Sequence, residues 1–128
     1  MLSYNFEEEV LKSPLHYKKR FKTNKKVIII ESKNIFENQN FNSNTPSKDP
    51  IYISEKFKVI RISLKKGLEI APHHGSHPVV FFVLKGKGVF PTDSGEVELG
   101  ENDYITYSDT ESRGMKSLED LTVLAIRD

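Results

Sequence analysis

Residues 67–88 read GLEIAPHHGSHPVVFFVLKGKG, and this stretch decides the fold. Pro78–Leu84 (PVVFFVL) is a short apolar run, rich in β-branched and aromatic residues and closed by the turn Gly86–Lys87–Gly88. That is the composition of a strand rather than a helix. Its apolar residues fall on both faces, so one face points into a core and the other is covered by another layer of the chain or by a partner subunit.

Outward from this strand the pattern repeats. Candidate strands are 51–53, 57–64, 68–72, 78–85, 88–91, 95–99, 103–107 and 121–126. Lys65–Lys66–Gly67, Asp93–Ser94–Gly95 and Gly100–Glu101–Asn102 punctuate them. In 57–64, Ile60, Ile62 and Leu64 share one face while Val59 and Arg61 share the other. Many short strands with glycine turns indicate an antiparallel sandwich or barrel. The expected fold is therefore all-β, a small antiparallel barrel over residues 51–128.

Residues 1–50 form a separate zone, an N-terminal arm that is helical or irregular apart from one strand. Ser3–Lys12 suits a short helix, with Ser3 as N-cap and Pro14 beyond its end. The run Val27–Ile30 suits a strand over 26–31. Residues 37–50 (ENQNFNSNTPSKDP) read as a loop. The basic run from Lys18 to Lys26 follows the acidic Glu7–Glu9 and reads as a solvated arm.

Composition bounds the function. The 128 residues carry a net charge of +1, a balance that favours neither nucleic acid nor an anionic membrane. With no cysteine, thiolate metal sites and thiol nucleophiles are excluded. No apolar run approaches a membrane span, and the acidic N-terminus lacks the pattern of a signal peptide, so a cytoplasmic protein is expected. No Walker or dinucleotide glycine loop is present.

The densest chemical signal is Pro72–His73–His74–Gly75–Ser76–His77–Pro78, which holds three of the four histidines. Three readings stay open for it: a polar turn, a site for Zn, Fe, Mn or Ni through His73, His74 and His77, or contacts to a non-metal ligand.

The spacing Gly67-x5-His73 followed by Val83–Leu84–Lys85–Gly86 resembles the first motif of the cupin superfamily, G-x5-H-x-H, three or four residues, E, six residues, G. Asn102 through Ser117 stands at the place of the second motif, G-x5-P-x-G-x2-H-x3-N. The resemblance covers about residues 57–128 and implies an RmlC-like jelly roll, a double-stranded β-helix. It also implies one metal held by three histidines and a glutamate. Residue by residue, His73 stands at the first His, Gly75 at the second and Val79 at the Glu. Ser108, Thr110, Arg113 and Ser117 stand for Pro, Gly, His and Asn. A single ligand survives, so the resemblance implies a single-domain cupin with degenerate metal motifs and no metal cofactor, unless His74 or His77 shifts register with Asp109 or Glu111.

Arg113, at the family's His position, is expected to point into the barrel and take a small anion bidentately. It would act with His73 and His77 in a pocket lined by Val79, Phe81 and Tyr107. The alternative is a surface arginine paired with Glu111, Glu119 or Asp120. The sequence thus supports a binding domain for a small anionic molecule, a metal-dependent cupin enzyme of isomerase or oxygenase type, or a structural module that forms a homodimer through edge strands.

Overall fold

The computed structural model describes residues 16–23 and 26–128, with side chains from Ile30 onward. The expected helix at Ser3–Lys12 lies outside the described residues. The chain divides into two units, residues 1–39 and 40–128.

In the first unit, β1 (His16–Thr23) pairs antiparallel with β2 (Lys26–Lys33), in register from His16 opposite Lys33 to Thr23 opposite Lys26. Most of the basic run expected as an arm therefore lies on a strand. Beyond β2, the Asn34 side chain accepts a hydrogen bond from Phe36 N at 2.9 Å and turns the chain.

The second unit contains β3 (Ser47–Ile53), β4 (Lys58–Leu64), β5 (Glu69–His74), β6 (Val79–Lys85), β7 (Gly88–Thr92), β8 (Gly95–Leu99), β9 (Tyr104–Tyr107), β10 (Ser112–Ser117) and β11 (Leu121–Arg127). Five strands form one antiparallel sheet in the order β3-β4-β11-β6-β9, and four form another in the order β5-β10-β7-β8. This is an antiparallel jelly-roll barrel. Among the described residues there is no helix, and so none long and apolar enough to cross a membrane.

Strand alternation builds the core. Ile62 and Leu64 of β4, Val79, Phe81 and Val83 of β6, and Leu121, Val123 and Ala125 of β11 turn inward. They meet Phe90 of β7, Leu99 of β8 and Met115 of β10 from the other sheet. Each large side chain buried this way contributes about 1.5–3 kcal/mol. On the opposite face of β6, Val80, Phe82 and Leu84 are half-buried.

Within the second unit two strands depart from the expectation. The segment 37–50 is not all loop, because β3 starts at Ser47. Its Pro50 lacks a donor, which an edge strand tolerates, and the register with β4 shifts between Pro50 and Tyr52. Asp49 faces Arg61 across this pair and bonds its Nη2 at 3.0 Å, so the buried Arg61 is paired rather than isolated. The second departure is β10 (SRGMKS), which no strand was expected to cover. Its Ser117 donates from Oγ to Lys65 O, and its Ser117 N donates to Leu68 O at 3.0 Å. These bonds tie the end of β10 to the β4–β5 turn. Gly86 closes β6 with φ +87°, and a Cβ there would overlap Asp120 O. Only glycine serves at that position.

Candidate functional site

A cavity of about 570 Å³ opens between the sheets at the end of the barrel where β5 runs into β6. Its apolar surface comes from Ile60 and Ile62 of β4, Ile70 of β5, Val79 and Phe81 of β6, Met115 of β10 and Ala125 of β11. Its basic surface comes from Lys48, His73, His74, His77, Arg113 and Arg127; among the described residues Ser76 is the remaining polar one, and none that lines the cavity carries a carboxylate.

The inward rows of the strands explain this mixture. On β11, Leu121, Val123 and Ala125 point inward, so Arg127, two residues further, continues the row at the mouth. Lys48 sits opposite Ile62, an inward residue. On the facing sheet Arg113 pairs with His73 and Met115 with Ile70, with a bulge between the two pairs. The bulge falls on β5 and lets His73 and Ile70, three residues apart, both line the cavity opposite Arg113 and Met115.

Arg113 is 6% exposed. Its guanidinium donates to three backbone carbonyls: Nη1 to His77 O, Nη2 to Ser108 O at 2.6 Å, and Nη2 and Nε to Glu111 O at 3.1 and 3.2 Å. These bonds use four of the five N–H donors a guanidinium carries, leaving one on Nη1. The Cζ also lies 5.8 Å from the centroid of the Tyr107 ring, within cation–π range. Burial of the charge is thereby compensated without a carboxylate. Arg113 makes no ion pair with Glu111, Glu119 or Asp120; the Glu111 carboxylate instead accepts from Ser108 N at 2.9 Å, and Asp120 accepts from Lys66 N at 2.8 Å. The Asp120 carboxyl is held below its usual range by that backbone bond, despite some opposing desolvation, with Lys65 adding to the lowering.

Gly75 lies over this guanidinium. A Cβ on Gly75 would overlap Arg113 Cζ and fall 2.7 Å from Nε and 2.8 Å from Nη1. A side chain at position 75 and the arginine at 113 therefore claim the same space.

The histidines are exposed along the rim. His73 Nδ1 is 3.1 Å from Ala71 O, and His74 Nδ1 is 2.9 Å from Thr110 O. Each of these nitrogens carries the proton if it donates to the carbonyl, which leaves Nε2 free to accept. Phe81 forms part of the cavity surface, whereas Tyr107 stands behind it. Tyr107 is 2% exposed, donates from its hydroxyl to Pro91 O at 2.8 Å, and packs edge-on to Phe81 with centroids 5.5 Å apart. Burial, reinforced by the Glu111 charge and opposed by Arg113, pushes its phenol up to about 12.

The donor set does not fit a metal at this position. Gly75 has no side chain to offer, Val79 is apolar, and a fixed cation fills the space beside Gly75. Nor do His73, His74 and His77 provide the shifted site weighed from the sequence: among the described residues no three His, Asp or Glu side chains converge on one point.

Lys48 and Arg127 were missed by sequence reasoning. The signal for Arg127 was present in the alternation of β11. Lys48 gave none, because its segment read as a loop.

Solved structures similar to this chain include a RmlC-like cupin protein from Desulfovibrio desulfuricans, with TM-score 0.70 and 22% identity over 77% of this chain and 95% of that one. Another is TT1209 from Thermus thermophilus, with TM-score 0.69 and 19% identity over 74% and 93% of the two chains. A third is the Cnp3 cupin domain from Schizosaccharomyces pombe, with TM-score 0.71 and 10% identity over 90% and 88%. No family profile and no curated relative matches the chain. Likeness at these identities establishes the fold alone: the chain has the jelly-roll fold seen in these RmlC-like cupin structures.

Proposed function

We propose that this cupin-fold chain binds a small organic anion, a carboxylate with an apolar body, inside the barrel. One observation carries the reading: among the described residues, those lining an apolar cavity of about 570 Å³ include six basic side chains and no acid. An apolar surface with a few polar anchors is the usual form of a small-molecule site. A one-signed lining also raises the local concentration of an oppositely charged ligand. Lys48 and Arg127 supply permanent charge, and His73 and His77 supply hydrogen-bonding edges. Arg113, with most of its donors engaged, adds charge and one N–H rather than a bidentate fork.

The test is thermal denaturation with a panel of aromatic and branched aliphatic carboxylates, in the presence and absence of a chelator. A ligand at about 100 times its Kd raises stability by about 2.7 kcal/mol. Arg127→Ala is expected to remove that gain while leaving the ligand-free melting temperature unchanged. Stabilisation abolished by the chelator would refute the reading in favour of a metal site.

A second reading, assembly into a homodimer, draws on β3. On this edge strand Ile51, Tyr52 and Ile53 are 44%, 53% and 54% exposed, and Tyr52 packs on the exposed Phe57 at 5.3 Å. An apolar edge strand is a template for antiparallel pairing with a second copy across a two-fold axis. Light scattering is expected to give twice the chain mass, and Ile53→Lys to give the monomer. A monomer for the unaltered chain would remove this reading.

A further inference from the structure

We propose that Arg113 and Gly75 form a built-in cation centre, in which a fixed guanidinium takes the place that a metal ion would fill. The proposal goes beyond anion binding and does not depend on any ligand. Three observations converge on it. The guanidinium is buried and held by the carbonyls of His77, Ser108 and Glu111, which come from two separate loops. It faces the cavity beside His73, its register partner. Any side chain at position 75 would overlap it.

An arginine tip usually swings away from such a clash at little cost. Here it cannot, because moving would break its bonds to all three carbonyls at once. Nor does the backbone require glycine: Gly75 lies outside the left-handed region, unlike Gly67, Gly86 and Gly95. The three atoms nearest to a Cβ at position 75 all belong to Arg113, so the missing side chain answers first to that arginine. The two positions are one device, a permanent organic cation with the room it needs. A divalent ion brought to the same space would meet like charge and would find neither an imidazole at 75 nor a carboxylate at 79.

The experiment is a double-mutant cycle on the full chain, read by thermal denaturation. Gly75→Ala is expected to lower the melting temperature by on the order of 5–10 °C when Arg113 is present. In the Arg113→Ser background the same change is expected to cost much less. Equal shifts in both backgrounds would overturn the shared-space claim. Metal uptake gives an independent arm, since it needs no destabilised variant. The unaltered chain, incubated with Zn, Mn or Ni and desalted, is expected to retain a substoichiometric amount by elemental analysis; one equivalent would overturn the proposal. The folded double variant Gly75→His/Arg113→His, with three imidazoles and no guanidinium, is expected to retain one equivalent of Zn. Failure of that variant, shown by circular dichroism to be folded, would overturn the placement of the guanidinium at the ion's position.

Discussion

The two ends of the barrel use the same inward rows for opposite purposes. At the closed end, Leu64, Val83, Phe90, Leu121 and Val123 have no exposed surface at all. Toward the open end, the rows continue as Ile60, Val79, Ala125 and Arg127, and a cavity appears. The alternation of the β4–β11 pair runs unbroken from one end to the other. What changes is side-chain volume and charge: Ala125 and Gly75 leave space, and Arg113, Arg127 and Lys48 make that space basic. A jelly roll can therefore keep its stability at one end and vary its chemistry at the other, which agrees with the rule that function lies in sites grafted onto folds.

Substitutions should separate the two ends. The largest effect belongs to the closed end. Phe90→Ala removes a fully buried ring and is expected to cost about 3–5 kcal/mol in chemical denaturation, with carboxylate affinity unchanged in the protein that remains folded. A loss of affinity as large as the loss of stability would mean that the ends are not independent.

Next in size is Tyr107, behind the cavity. Its phenol titrates at about 12 in the folded chain, against about 10 when unfolded. Between those values the unfolded chain binds fewer protons, so stability falls as pH rises. The expected fall from pH 10 to 12 is up to about 2–3 kcal/mol, and it is fully avoided below pH 10. Tyr107→Phe is expected to remove this part of the alkaline slope, at a cost of about 1 kcal/mol at neutral pH for the lost bond to Pro91 O. An identical slope in the two proteins would show that Tyr107 does not hold its proton as described.

The smallest stability change sharpens the comparison most. Ala125→Leu extends into open space rather than into a packed core, and is expected to change stability by less than about 1 kcal/mol. It should nevertheless weaken carboxylate binding by narrowing the cavity. Strong destabilisation would mean that the open end is packed like the closed one.

How much of this was legible in the sequence follows from the same contrast. The strands β4, β6 and β11 carry apolar residues at every second position, and burial at the closed end demands that pattern, so they could be read directly. The β10 sequence, SRGMKS, could not, because its inward residues are Arg113, Met115 and Ser117. Two of those three are polar, and their partners are carbonyls from segments distant in sequence. The start of β3 was hidden for a different reason: Pro46 and Pro50 signal a loop, yet an edge strand with a bulge accommodates proline. At the site, the loss of metal ligands could be read by position from Gly75, Val79 and Arg113. The interlock of Gly75 with Arg113 could not, since no local pattern says that a glycine in one strand connection lies against an arginine 38 positions later.

The most direct test of the account is a calorimetric titration of the full chain with benzoate and with benzamide, which share a shape and differ in charge. The account predicts that benzoate binds in one-to-one ratio, that added salt weakens it, and that benzamide binds far more weakly or not at all. Equal binding of the two, or binding of benzamide alone, would contradict the claim that the basic lining of the cavity selects an anion.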